Sequence, residues 1–155
     1  MSTACAARAR LCVGEPAPLF SLRAHPSGRV DLADYAGQRN VLLAFYPRDD
    51  SPVCIQEMCA LSDNLDRFNS AGTHVFGVSR DSLASHETFA DKYGLNLPLL
   101  SDEDGEVARA YGALRGARGH CERVLFVIDR GGLVRHVHEG MPSVADLLTA
   151  VRRLN

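Results

Sequence analysis

Cys54 is the residue of this chain best placed by its neighbours to do chemistry. It stands in Phe45-Tyr-Pro-Arg-Asp-Asp-Ser-Pro-Val-Cys-Ile-Gln-Glu-Met-Cys59, with Pro47 and Ser51 before it and Glu57 and Cys59 after. Sulfur attacks as the thiolate. That form is favoured at the start of a helix, where unsatisfied N–H groups and the macrodipole present positive potential. Val41–Phe45 reads as a buried strand, the prolines and aspartates after it as a turn, and the residues from Val53 onward as a helix. Cys54 therefore falls in or near a first helical turn, and the chemistry to expect is nucleophilic attack by sulfur. No Cys-x-x-Cys is present. The spacing of Cys54 and Cys59 argues against a thioredoxin-type dithiol site and against a zinc knuckle.

The elements that must hold this stretch follow from periodicity. Phe20–Arg23 and Arg29–Leu32 are short strand candidates joined by His25-Pro26-Ser27-Gly28, a hairpin turn composition. Asp34–Gly37 reads as a single helical turn. From Val53 to Ala71 a continuous helix is expected, because Cys54, Met58, Leu61, Leu65 and Phe68 recur along one face, and Gly72 then stops it. His74–Ser79 is the next buried strand. A helix over Leu83–Tyr93 follows, capped by Asp81 or Ser82 and closed by Gly94. Leu97–Leu100 reads as a strand and Gly105–Gly112 as a helix. Val124–Asp129 and Val134–Glu139 pair across Arg130-Gly131-Gly132. The last helix opens at Ser143 and turns Val144, Leu147, Leu148, Val151 and Leu154 inward. Strands alternating with helices, then a closing hairpin and helix, mean an α/β fold with a mixed central sheet covered on both faces. Sites in such sheets gather at the carboxyl ends of strands, where Cys54 lies.

Composition narrows the classes. A chain of 155 residues can bury one substantial core, so residues 1–155 are expected to form a single domain with residues 1–12 as a flexible N-terminal extension. The apolar share of 46% and charged share of 23% are ordinary for a globular protein. A net charge of −2 gives no electrostatic footprint for nucleic acid. No apolar run approaches a membrane span, and residues 1–12 carry no sustained apolar segment of the secretory kind, so the cytoplasm is the expected location. Five cysteines are an odd number and do not read as a secreted disulfide framework. His136 and His138 share a strand face; without further ligands they read as a solvated face rather than a metal site.

Pro47, Ser51 and Cys54 make the pattern Pro-x-x-x-Ser-x-x-Cys, which resembles the signature of the peroxiredoxins, thiol peroxidases of thioredoxin-like fold. Phe-Tyr-Pro before it and Cys59 after it are similar to the PrxQ, or bacterioferritin-comigratory-protein, branch. The resemblance runs from about Val13 to the end of the chain. It implies that Cys54 is the peroxidatic cysteine, Cys59 the resolving cysteine, Pro47 and Ser51 the loop lining the site, and Arg123 the strand-borne arginine that completes it. Val53 and Ile55 depart from the glycine and threonine usual in the branch, and Ser51 replaces the commoner threonine while keeping its hydroxyl. Cys121 stands as an alternative resolver; Cys5 and Cys12 are expected to have no catalytic part.

The implied activity is reduction of hydrogen peroxide and small organic hydroperoxides, with a thioredoxin-type dithiol protein as reductant and no metal, flavin or haem. The chain would act as a monomer or weak homodimer. Lowering a thiol pKa from about 8.5 to about 6 raises its ionised fraction at pH 7 only about 30-fold, or about 2 kcal/mol. The rest must come from orienting the peroxide and stabilising charge on the leaving oxygen. That work falls to Arg123, to the Ser51 hydroxyl, and to the N–H groups around Val53 and Cys54. Pro47 would wall off the sulfur, Glu57 would support the loop, and Tyr46 would line the pocket. A thiol–disulfide oxidoreductase or redox sensor without peroxidase turnover is the alternative, and a non-catalytic binding module of the same fold a third reading.

Overall fold

The computed structural model describes residues 10–116 and 119–155. Among these residues seven strands form one sheet: β1 (Ser21–His25), β2 (Arg29–Asp31), β3 (Asn40–Phe45), β4 (Thr73–Ser79), β5 (Leu99–Ser101), β6 (Val124–Ile128) and β7 (Val134–Glu139). Their spatial order is β2-β1-β5-β4-β3-β6-β7. The central β3, β4 and β5 run parallel, and the outer pairings are antiparallel. The mixed sheet expected from the alternation of elements is the one observed.

Every residue of β3 is buried, the mark of a strand covered on both faces. Side chains alternate across it. Leu42 and Ala44 join one core cluster with α1 (Pro52–Asp63), α2 (Leu65–Ser70), α3 (Leu83–Tyr93) and α5 (Val144–Arg152). Val41, Leu43 and Phe45 join a second cluster on the opposite face, with Ala108 of α4 (Glu106–Ala110), Tyr111 and the segment around Ala17. On β4, Gly77 permits a close approach. A Cβ there would lie 2.9 Å from Leu99 Cδ2, 3.0 Å from Met58 Sδ and 3.2 Å from the Tyr46 ring. The missing side chain lets α1 settle onto the sheet through Met58.

Several boundaries differ from expectation. The helix read as continuous over residues 53–71 is broken into α1 and α2 at Asn64, whose backbone leaves the helical region (φ −112°, ψ 13°). The Asn64 side-chain amide donates to the Ala60 carbonyl at 2.7 Å, taking the acceptor that an unbroken helix reserves for its own backbone N–H. The apolar stripe survives the break, because Cys54, Met58, Leu61 and Phe68 are buried together. The first helical turn is a 3-10 turn at Leu32–Tyr35, two residues earlier than expected. Residues 10–12, read as part of a flexible extension, are fastened to the body. The Leu11 N–H donates to the Tyr111 carbonyl at 3.2 Å, and Arg10 pairs with Glu122 and Glu139.

Candidate active site

The chain leaves the carboxyl end of β3 at Phe45, crosses Tyr46–Ser51 and enters α1 with Pro52 in its first turn. Proline suits that position because its φ is already helical and its missing N–H would have had no intrahelical partner. Ser51 is the N-cap residue, extended at φ −90° and ψ 148°, yet its side chain caps nothing in the helix. The first-turn N–H groups of Val53 and Cys54 therefore point forward without an intrahelical acceptor. Asp50, just before the cap, takes a left-handed φ of 61°. Aspartate tolerates that region better than most residues. Its carboxylate is tied down by the Tyr93 hydroxyl at 2.8 Å and the Lys92 ammonium at 3.2 Å.

Cys54 lies fully buried in that first turn. Arg123, the residue immediately before β6, sends its guanidinium across the sheet end to it. Nη2 lies 3.1 Å from Cys54 Sγ, and Nη1 donates to Glu57 Oε1 at 2.7 Å. The Arg123 carbonyl accepts from Gly140 N–H at 2.8 Å, so the β6–β7 pairing fixes the backbone that carries the guanidinium. Glu57 is only 2 % exposed. Burial pushes its carboxyl up to about 7, against the opposing pull of Arg123. Burial disfavours the Arg123 charge, but the hydrogen bonds to Cys54 and Glu57 outweigh it and push that group up. A cation held against a sulfur beside open N–H groups is the complement of an attacking anion. Glu57 thus braces the arginine rather than the loop.

The remaining candidates are spread around this pair. Pro47 and Ser51 are half-buried in the loop, and the Ser51 hydroxyl faces the Arg48 carbonyl at 3.5 Å. Val53 is 45% exposed at the mouth. Tyr46 does not line the mouth: it is fully buried beneath the loop, packs against Phe89, and commits its hydroxyl to Asp49 at 2.6 Å. Cys59 is a half-buried free thiol one and a half turns along α1; burial, then Asp63, pushes it up. Cys121 is also free, but its side chain belongs to the core cluster on the far side of the sheet from Cys54. Burial pushes Cys121 up to about 12. Cys12 is disulfide-bonded, and Cys5 lies outside the described residues. His136 and His138 stack with centroids 6.5 Å apart, and His138 Nε2 meets the Met141 carbonyl at 3.0 Å. Among the described residues no group of three or more His, Cys, Asp or Glu is placed to hold a metal ion.

Sequence reasoning missed what holds the loop. Asp49 reaches back to α3: its Oδ2 accepts from Ser85 Oγ at 2.7 Å and lies 2.8 Å from His86 Nδ1. The Asp49 N–H donates to Asp81 Oδ2 at 2.8 Å, and Ser79 Oγ donates to the same oxygen at 2.7 Å. His86 is fully buried. Two adjacent aspartates in a turn were the available signal, and they read as turn formers because, Tyr46 apart, their partners lie more than thirty residues away.

The AhpC/TSA family matches residues 13–137, and the chain belongs to it. Peroxiredoxin Bcp of Escherichia coli K12 is 38% identical over 135 residues, spanning 83% of this chain and 86% of that protein. The chloroplastic peroxiredoxin Q of rice (subspecies japonica) is 37% identical over 126 residues, spanning 81% of this chain and 58% of that one. Among solved structures, peroxidoxin BcpB of Mycobacterium tuberculosis superposes with a TM-score of 0.86 at 27% identity, over 94% of this chain and 99% of that one. The reduced 2-Cys peroxiredoxin of Plasmodium vivax gives 0.84 at 30% identity, over 90% and 79%. The fold is thioredoxin-like and the protein is a thiol peroxidase of the Bcp/PrxQ kind. Nothing in these likenesses favours an oxidoreductase without peroxidase turnover. No helix among the described residues is long and apolar enough to cross a membrane.

Proposed function

We propose that Cys54 is the peroxidatic cysteine of an enzyme that reduces hydrogen peroxide and small organic hydroperoxides. Its thiolate attacks one peroxide oxygen. An S–O bond forms, the O–O bond breaks, and the alkoxide or hydroxide departs and is protonated, leaving Cys54 as a sulfenic acid. Arg123 spans the sulfur and the peroxide, and the Ser51 hydroxyl with the N–H groups of Val53 and Cys54 grips the peroxide oxygens. Pro47 and Val53 shape the entry. The observation that carries this reading is the 3.1 Å approach of Arg123 Nη2 to Cys54 Sγ at the open end of α1.

Cys59 then attacks the sulfenic sulfur and displaces hydroxide, giving a disulfide. A dithiol protein of the thioredoxin class returns it to two thiols, in the cytoplasm, where such reductants are kept reduced. Cys59 is favoured over Cys121 because it shares α1 with Cys54, whereas the sheet stands between Cys54 and Cys121. The enzyme acts as a monomer or weak homodimer, which sedentary measurements such as sedimentation equilibrium test directly. For the chemistry, the test is mass spectrometry of protein treated with one equivalent of peroxide. A 54–59 disulfide, and a trapped sulfenic acid at Cys54 in Cys59→Ser, are expected. Oxidation confined to other cysteines, or undiminished peroxide consumption by Cys54→Ser, overturns the reading.

A further inference from the structure

Asp49 sits midway between Pro47 and Ser51, the two loop residues given a part in the proposed chemistry, and its own side chain is committed to Tyr46 and α3. The carboxylate has two oxygens and three donors: Tyr46 Oη on Oδ1 at 2.6 Å, with Ser85 Oγ and His86 Nδ1 on Oδ2 at 2.7 and 2.8 Å. The other ring nitrogen of His86, Nε2, lies 3.0 Å from the Leu100 carbonyl, which can only accept. Both nitrogens of a fully buried imidazole thus lie within hydrogen-bond distance of oxygen atoms, one on the loop and one on β5. The result is a hydrogen-bonded link running from β5, through α3, to the loop. The Asp49 N–H on Asp81 adds a second tie, and Asp50, held by Lys92 and Tyr93, adds a third. Apart from Tyr46, at the start of the loop itself, these partners belong to α3, β5 or the chain beside Ser79, and none belongs to α1.

A buried polar network is a poor way to gain stability, because desolvation offsets most of the attraction, and apolar packing would serve as well. What it does supply is a fixed geometry. The catalytic loop is therefore moored to the part of the molecule that has no reason to move when the start of α1 opens.

We propose that Asp49 and His86 are positioning residues for the peroxidase step: they hold the Pro47–Ser51 loop against α3, and so set the place of the Ser51 hydroxyl and the first-turn N–H groups relative to Cys54 Sγ. The proposal rests on the peroxidatic role given to Cys54 above. Neither residue touches peroxide, so their loss leaves the sulfur as reactive as before toward an electrophile that needs no oriented oxygen.

The experiment compares two rates on reduced protein, each in Asp49→Asn, His86→Gln and the double variant. One is the second-order rate of Cys54 oxidation by hydrogen peroxide in single turnover; the other is the rate of Cys54 alkylation by iodoacetamide at the same pH. Misplacing an oriented group by about 1 Å costs on the order of 100-fold, so each single variant should lose roughly 10- to 100-fold in the peroxide rate. Alkylation should stay within about twofold, and the double variant should be no slower than the slower single, because the pair acts as one unit. Peroxide rates within about twofold of the parent overturn the proposal, as does an equal loss in both rates, which marks a general disturbance. Should those variants fail to fold, Ser85→Ala removes a single hydrogen bond from Asp49 Oδ2 at a half-buried site. It should slow the peroxide step several-fold with alkylation unchanged, and a parent-like peroxide rate there overturns the proposal equally. A parent protein whose Cys54 ignores peroxide sinks the peroxidase reading itself, whereas a reactive parent with unaltered variants sinks the clamp alone.

Discussion

Arg123 divides its guanidinium between Cys54 and Glu57, with Nη2 3.1 Å from the sulfur and Nη1 2.7 Å from the buried carboxyl. Each arm constrains the other, since the planar fork cannot turn toward one partner without leaving the second.

Arg123→Lys keeps the charge and loses the fork. Losing one such donor at a site of developing charge costs about 100-fold or more, and that drop is expected in the peroxide rate measured by stopped flow. Arg123→Gln should also destabilise the fold, because Glu57 is left buried without its partner. Adding Glu57→Gln should restore the stability and leave the rate low. Recovery of both together would show that the arginine serves the fold alone.

Glu57 gives a pH prediction with a definite sign. Burial raises its folded-state value to about 7 from the ordinary 4.5. Between those values the folded protein keeps a proton that the unfolded chain has released. Its contribution is therefore complete below about pH 4.5 and lost as pH rises through 7. Urea unfolding of reduced parent and Glu57→Gln at pH 5, 6, 7 and 8 should show the variant gaining on the parent with pH. The total is on the order of 3 kcal/mol for a shift of this size. A difference that stays flat across the series would rule this titration out.

Residues five apart on an intact helix have Cα atoms about 8 to 9 Å apart, beyond the roughly 7 Å limit for a disulfide. Both Cys54 and Cys59 lie within the regular α1. Oxidation should therefore strip amide-exchange protection from residues 54–59 and spare β3 and β4. Near-identical protection in the reduced and oxidised forms would sink this prediction.

Gly77→Ala should destabilise the protein by about 1 to 3 kcal/mol in urea titration, the usual cost of overpacking a tight site. Its new methyl would press on Leu99, Met58 and Tyr46 at once. A midpoint equal to the parent's would mean that α1 shifts freely.

The sequence carried the fold well because its signals were local. Alternating strands and helices, the Ser82 and Ser143 caps and the Gly94 stop are all read within a few residues, and each is found. The meeting of Cys54 and Arg123 was legible as well, the first from its helix start and the second from the family resemblance, whereas Glu57 was read as a support for the loop and instead meets Arg123. Three things were not. The break at Asn64 depends on one side chain choosing its backbone acceptor, which no apolar periodicity reports. Tyr46 sits beside the motif but turns inward, and neighbours in sequence do not reveal which way a ring points. The ties from Asp49 and Asp50 to α3 span 36 to 43 residues, and charge alone names no partner at that range.

The sheet itself separates the free thiols of the described residues into two populations. Cys54 and Cys59 are on α1 against one face, and Cys121 is sealed within the core of the other, so a reagent entering at the helix meets no route through the strands. Native-state thiol counting should consequently yield an early class from α1 and a late one that waits on global opening. The late class makes Cys121 an internal clock for unfolding, running inside the same molecule whose helix start reports on turnover.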